Sequence, residues 1–373
     1  MMFASLLRIF ALTRKELLAV LKDPRGRFTL IAPPIIQCFI FGYAASYDLF
    51  DVPYVVLDQD RSHASRELLA NLDGSHIFRR VANVTRESDL KEAIDQRRAL
   101  LAIQIRQDFE RQLEMGAQAD VQVIADGRNS NTAAIATGYI TAIVDSYNAD
   151  WRSAHGLPNP PISVSTRAWY NPNLETRWNM IPALIGTLTM LQTLILTAMS
   201  VAREREQGTF DQLLVTPFRP AEIMAGKALP SMIIGMIQAT NVLLVAQLWF
   251  HIPFSGSFLT LYSGLIVFLL AAVGLGLLLS SIAATMQQAL LYSFVVVMPF
   301  TLLSGLSTPI TSMPKILQNV TLANPLRYAI DMAQRVYLEG ATLPLLVNDL
   351  WPLAIIAGIT LPAAAWMFRH RLT

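Results

Sequence analysis

The sequence predicts a polytopic α-helical membrane protein with six transmembrane helices and an inserted α/β extracytoplasmic domain. Three observations carry that reading. Of the 373 residues, 53% are hydrophobic and 15% charged, too apolar for the two soluble domains that such a length ordinarily implies. The apolar residues gather into long runs. The longest, residues 252–314, holds no Asp, Glu, Lys, Arg or His. At ~20 residues per crossing it can traverse a ~30 Å hydrocarbon layer twice. One stretch, residues 48–177, breaks the pattern and reads as a soluble domain.

The N-terminal segment, residues 1–27, carries Arg8, Arg14, Lys15, Lys22, Arg25 and Arg27, which holds this end in the cytoplasm by the positive-inside rule. Phe3, Leu6, Leu7, Phe10, Leu17, Leu18 and Leu21 recur at helical spacing. That pattern fits an amphipathic helix on the inner membrane surface and equally a helix packed on a partner. Residues 28–47 form the first span. Its apolar core is longer than that of a cleaved signal peptide, so an uncleaved anchor is expected.

Within residues 48–177, β-rich runs at 53–57, 77–84, 99–105 and 121–125 alternate with helical segments. Ser62 is placed to cap a helix through Leu72, Thr85 or Ser88 one through Arg98, and Asn131 one reaching about Ser153. Strands alternating with helices imply a small layered α/β fold. Its arginines do not oppose an outside location, because long loops translocate largely regardless of charge.

Residues 178–373 supply transmembrane helices 2–6, expected at 178–202, about 228–250, 258–284, 289 to about 311, and 350–368. A cytosolic coupling loop, 203–227, separates the first two, and an outer helical segment, 313–349, precedes the last. Counting crossings puts both termini and the basic loop inside. In the outer segment, Pro314 is placed to start a short helix. Asn324 and Pro325 are placed to cap and open another that ends at Gly340.

Composition also excludes. A net charge of +2 without a basic cluster among aromatics argues against nucleic acid as a partner. The single cysteine, Cys38, rules out an internal disulfide and a thiolate metal cluster. Five scattered histidines at 63, 76, 155, 251 and 370, with no Ser-His-Asp set, make intrinsic catalysis or a metal site unexpected. Gly226-Lys227-Ala228 lacks both the leading glycine and the Ser or Thr of a phosphate loop, so no nucleotide site is expected on this chain.

The expected spans contain no ionisable side chain, whereas gradient-driven carriers usually bury carboxylates, Arg or His along the pathway. Energy for any transport must then come from elsewhere. The spans offer amides, Gln37, Asn179, Gln192, Gln238, Asn241 and Gln247, suited to interhelical hydrogen bonds. Gln192, Gln238 and Asn241 are the candidates for lining a pathway.

The loop after the second span reads Arg203-Glu204-Arg205-Glu206-Gln207-Gly208-Thr209-Phe210-Asp211-Gln212-Leu213-Leu214-Val215-Thr216-Pro217. Thr209 and Gln212 form a capping-box pattern, and the helix they begin must stop before Pro217. Phe210, Leu213 and Leu214 share one face of it. Such a helix is shaped to dock into a groove on a cytosolic partner, with Glu204 and Glu206 as orienting charges. A helix lying on lipid is the alternative, weakened by the interspersed carboxylates.

Glu204-Arg205-Glu206-x-Gly208-Thr209, then Leu213-Leu214-x-x-Pro217 and Glu222-Ile223-x-x-Gly226-Lys227, resemble the signature of type-2 ABC transporter permeases, the ABC-2 type. Leu303 to Pro309, Met313-Pro314, and Asn324-Pro325-Leu326-Arg327-Tyr328 are similar to that family's C-terminal half. Val55 to Ser62 resembles the opening strand of the extracytoplasmic domain in a bacterial subgroup. The resemblance covers essentially the whole chain. It implies the permease subunit of an exporter in the bacterial inner membrane, not itself an enzyme. It implies pairing with a separate ABC ATPase that carries ATP and Mg, and a dimer with a second or homologous permease. A periplasmic adaptor and an outer-membrane channel are further partners in that subgroup. It also implies coupling through Glu204, Glu206, Gly208, Thr209, Phe210, Leu213, Leu214 and Pro217. An outer gate or re-entrant segment would include Pro309, Pro314, Asn324, Pro325 and Tyr328. Apolar spans with amides and hydroxyls suit an amphiphilic drug, lipid or glycoconjugate. A membrane-anchored receptor or scaffold using residues 48–177 is the alternative, though the cytosolic pieces are small for an output domain.

Overall fold

The computed structural model describes residues 2–22, 24–43, 49–128, 130–156, 169–171, 175–208 and 220–370. The chain divides into two compact units, Met1–Ser46 with Ala168–Thr373, and Tyr47–Arg167.

The second unit is a four-stranded mixed sheet with helices on both faces. Strands β1 (Val52–Asp58), β2 (Phe78–Asn83), β3 (Leu101–Ile105) and β4 (Val121–Ala125) lie in the order β2-β1-β3-β4. β1 runs parallel to both neighbours, and β4 closes one edge antiparallel to β3. Alternate residues point to opposite faces. Tyr54, Val56, Leu101, Ile103 and Ile105 pack with Leu68 and Leu72 of α3 (His63–Gly74) and Ile140 of α6 (Ser130–Ala154). Val55, Leu57 and Ala102 pack with Leu90 and Ala93 of α4 (Glu87–Asp95). Burial, and the hydrogen bond that the Tyr54 hydroxyl donates to Asp73, raise the Tyr54 pKa.

Ser62 caps α3 as its spacing indicates, accepting from the Ser65 amide at 3.0 Å. α4 departs from expectation: it begins after Arg86 with no side-chain cap and ends at Asp95, because Arg97 turns left-handed with φ of 57°. Between β3 and β4 lies α5 (Phe109–Glu114), too short for a periodic signal, which Phe109 anchors in the core.

The first unit is helical: α1 (Met2–Lys22), α2 (Pro24–Tyr43), α7 (Thr176–Glu206), α8 (Pro220–Leu248), α9 (Phe258–Ile282), α10 (Met286–Leu302), α11 (Lys315–Val320), α12 (Pro325–Gln334) and α13 (Val347–His370). Among the described residues four helices are long and apolar enough to cross a membrane, Thr176–Glu206, Ala221–Leu248, Phe258–Ile282 and Leu343–Phe368. Ile31–Tyr43 and Met286–Leu302 are shorter apolar helices. The span expected at 289–311 stops as helix at Leu302, where Gly305, with φ of 93°, turns the chain. α7 lies at the centre, packed against α8, α9, α10 and α12.

Two boundaries differ in a way that matters for function. α7 continues four residues past Ala202, and α8 starts eight residues before Ala228. At 1.5 Å per residue, the 31-residue α7 is about 46 Å long and overshoots a ~30 Å hydrocarbon layer. Of the segment 203–227, expected as a loop, residues 203–206 and 220–227 are helical ends, with Glu204, Glu222 and Lys227 on helical turns.

Candidate functional site

The expected coupling helix falls on residues outside those described: Thr209, Phe210, Leu213, Leu214 and Pro217 all lie in 209–219. What the structure describes is how its two flanks are held. α1 packs along α8, and Gly226 makes the approach close: a Cβ there would meet the Leu12 side chain at 2.4 Å. Leu12 and Thr13 are buried, while Leu6, Leu7, Phe10, Leu18 and Leu21 remain exposed. The leader helix is thus a packed element that keeps an apolar face outward.

The close approach buries charge. Lys227 is 1% exposed, and its Nζ lies 2.7 Å from Glu204 Oε2 and 3.5 Å from Glu16 Oε1. It donates to the carbonyl and hydroxyl of Ser200, both at 3.2 Å. Lys15 reaches Glu204 at 3.9 Å. One turn away, buried Glu222 pairs with Arg8 at 3.7 Å and accepts from the Ser5 hydroxyl. Buried charges of this kind persist only when paired and hydrogen-bonded. Three helices, α1, α7 and α8, are thereby fastened together.

The next two residues of the motif fasten a second pair. Arg205 donates to the Ser281 and Ala283 carbonyls, at 3.0 and 3.2 Å, where α9 ends. Glu206 Oε2 accepts from the Met286 amide, at 2.8 Å, where α10 begins. A cation at a helix C-terminus and an anion at an N-terminus each complement the helix dipole and satisfy groups that lack intrahelical partners. Thr285 caps α10 as well, accepting from Gln288. Glu204 and Glu206, expected as orienting charges beside the docking helix, are engaged within this chain at the end of α7. Gly208 closes that end with φ of 67°, a conformation costly for other residues.

Lys227 was legible as a basic loop residue, not as a buried one. The usable signal is Glu204 and Lys227 on strongly apolar helices, with Glu16 on the amphipathic leader, charges too expensive to bury singly.

At the other end of the helices, Asn324, Pro325 and Tyr328 come together. Asn324 Oδ1 accepts from the Leu326 amide at 3.0 Å, its Nδ2 donates to the Phe300 carbonyl at 2.8 Å, and Pro325 opens α12. Tyr328 donates to the Leu322 carbonyl at 3.1 Å. The helix continues as a π-turn, Arg335–Glu339, to a left-handed Gly340, where the sequence indicates its end. Arg335 ties that turn to α13 through Asp349 at 2.8 Å. Pro309 precedes a 3-10 turn and Pro314 precedes α11. Of the pathway candidates, Gln238 is fully buried, and Gln192 and Asn241 are half-buried.

These arrangements occur in a chain whose relatives are transport proteins. The model of the ABC-2 family transporter protein matches residues 25–366. The probable multidrug ABC transporter permease YbhR of Escherichia coli K12 is 40% identical over 98% of this chain and 99% of its own length. YbhS of the same strain, also named a probable multidrug ABC transporter permease, is 32% identical over 93% of each chain. The linearmycin resistance permease protein LnrN of Bacillus subtilis is 24% identical over 95% of this chain and 98% of its own. With a family match that spans nearly the whole chain, the protein belongs to the ABC-2 transporter family as one of its permeases.

Proposed function

We propose that this chain is the membrane-spanning subunit of an ATP-driven exporter that moves amphiphilic molecules outward, energised by a separate ABC ATPase that binds ATP and Mg. The observation that carries this reading is the pair of clamps flanking residues 209–219. Glu204 and Lys227 join α7 to α1 and α8, and Arg205 and Glu206 join α7 to the turn between α9 and α10. A force applied between the clamps reaches five helices at once. The segment 209–217 is the proposed coupling helix, with Phe210, Leu213 and Leu214 as buried anchors on the ATPase.

The same reading assigns six crossings, with Ile31–Tyr43 and Met286–Leu302 as the short ones, accommodated by local bilayer thinning. Both termini are cytoplasmic, residues 48–177 are extracytoplasmic, and the membrane is the bacterial inner membrane. Two permeases and two ATPase subunits form the working unit, and residues 48–177 are available to a periplasmic adaptor leading to an outer-membrane channel. Pro309, Pro314, Asn324, Pro325 and Tyr328 belong to the outer gate. The names of the relatives, multidrug and linearmycin resistance permeases, support an amphiphilic cargo.

Coexpression with the cognate ATPase tests the proposal. Truncating a buried aromatic or leucine anchor commonly costs about 2 kcal/mol, roughly thirtyfold in affinity. Phe210→Ala and Leu214→Ala are expected to lose the ATPase in a pull-down at equal membrane abundance, and Gln207→Ala to keep it. Equal retention by all three removes the coupling role from this helix.

A further inference from the structure

α7 and α8 meet along a polar seam. On α8, Lys227, Ser231, Gly235 and Gln238 follow at spacings of four, four and three, and so share one face. On α7, Glu204, Ser200, Thr197, Thr193 and Thr189 do the same. The cytoplasmic half of the seam is internally satisfied by the ion pairs of Lys227 and encloses a cavity of about 20 Å³, bordered by Glu16, Ser200, Lys227 and Ser231. The deeper half is not. Thr189 Oγ1, Thr193 Oγ1 and Gln238 Nε2 are buried and have no hydrogen-bond partner among the described residues.

The contrast with other helical threonines is specific. Thr187, Thr197, Thr240 and Thr360 each donate to the carbonyl one turn back. Thr189 and Thr193 face Gly235 instead: a Cβ on Gly235 would lie 2.5 Å from Thr193 Oγ1, 2.7 Å from Leu269 of α9 and 3.4 Å from Thr189. Glycine lets the helices close, and Leu269 helps seal them. A buried hydroxyl or amide left unpaired is unfavourable, and an apolar residue of the same shape would avoid that penalty. Three such groups along one seam make sense if they are satisfied in another arrangement of the same helices.

We propose that the α7–α8 interface parts during the transport cycle, and that Thr189, Thr193 and Gln238 then bind uncharged hydrogen-bonding groups, hydroxyl or amide, of an amphiphilic cargo. This rests on the exporter reading above. The site takes neutral groups because its own polar atoms are neutral, the seam's charges being paired at the cytoplasmic end. Hydrogen bonds made away from water are well suited to orienting such a molecule.

The test uses the full permease–ATPase complex in lipid nanodiscs on a Cys38→Ser background. Gln238→Cys is labelled with N-ethylmaleimide without nucleotide, during ATP turnover and after vanadate trapping. Thr193→Cys, which adds no bulk over threonine, reads the facing helix. Labelling is expected to be slow without nucleotide and at least tenfold faster during turnover or trapping, at one or both positions. Slow labelling in all three states at both positions overturns the proposal, as does fast labelling without nucleotide. In a second arm, a fluorescent acyl glucoside, uncharged and hydroxyl-bearing, is the cargo probe, and its stimulation of ATP hydrolysis is measured. Thr193→Val and Gln238→Leu are expected to raise its half-maximal concentration at least fivefold without lowering the melting temperature. Unchanged stimulation in both variants, or no stimulation of the wild type, overturns the cargo assignment. A chain that never assembles with the ATPase defeats the exporter reading itself, whereas an assembled complex with a closed seam defeats this inference alone.

Discussion

Lys227 is the residue on which most of the packing between α1, α7 and α8 at the Glu204 end of α7 depends. Its ammonium holds two carboxylates, Glu204 and Glu16, in a site almost without solvent. Removing one partner of a buried ion pair leaves the other charged and unpaired, at about 3–5 kcal/mol. Lys227→Met is therefore expected to lower the melting temperature in detergent sharply. Adding Glu204→Gln recovers part of the loss, because it removes one stranded charge; a double variant no more stable than the single would assign the effect to lost packing. Gly226 offers an independent check, since Gly226→Ala places a methyl group against Leu12. Overpacking typically costs about 1–3 kcal/mol, and Leu12→Ala in the same chain should relieve it, as a thermal-shift double-mutant cycle will read. Additive losses would mean that the two side chains do not compete for space.

At the scale of elements, helix ends do more here than terminate helices. Arg205 and Glu206 extend from the end of α7 to the adjoining ends of α9 and α10, where unpaired carbonyls and amides are concentrated. Asn324 does comparable work elsewhere, capping α12 while its amide serves the Phe300 carbonyl near the end of α10. Loss of a cap alone costs about 1 kcal/mol, and a buried carbonyl left unserved adds about 1–3. Asn324→Ala is expected to destabilise by roughly that sum, and Asn324→Asp, which keeps the cap but not the donor, by less. Denaturation in mixed micelles distinguishes the two. Equal losses would show that only the bond to Phe300 matters. Much of this level was legible beforehand: Ser62, Asn324, Pro325 and Gly340 stand where the sequence places helix ends, since capping is decided within a few residues. α5 was not, because six residues contain too little periodicity to recognise.

At the scale of the whole molecule, the shorter apolar helices set how many times the chain crosses the bilayer. Among the described residues four helices meet the length and hydropathy of a span, and the two shorter apolar helices decide between four crossings and six. With six crossings, a cysteine at Asp126 in a Cys38→Ser background reacts with an impermeant thiol reagent in intact cells and one at Gln207 does not. Reaction at both positions, or at Gln207 alone, would refute that topology. Asp126 lies just after β4, apart from the apolar helices, where the guanidinium and backbone amide of Arg128 bind it and hold its carboxyl below the ordinary value.

Hydropathy, strand alternation and capping are properties of neighbouring residues, so the membrane class, the four strands and most helix ends followed from the sequence by itself. The motif around Glu204 to Pro217, together with the outer Asn324-Pro325 segment, also carried the family. Which charges meet was decided only in three dimensions. Glu16, Glu204 and Lys227 belong to three helices, and nothing local in any of them indicates that the other two neutralise it. The same holds for Thr189, Thr193 and Gln238: each reads as an ordinary polar residue in an apolar run, and only the approach that Gly235 allows leaves Thr189 Oγ1, Thr193 Oγ1 and Gln238 Nε2 buried without a hydrogen bond among the described residues. Burial and pairing depend on the geometry of the folded chain, through desolvation and contacts between distant segments, and that geometry is set by the packing of all the helices together.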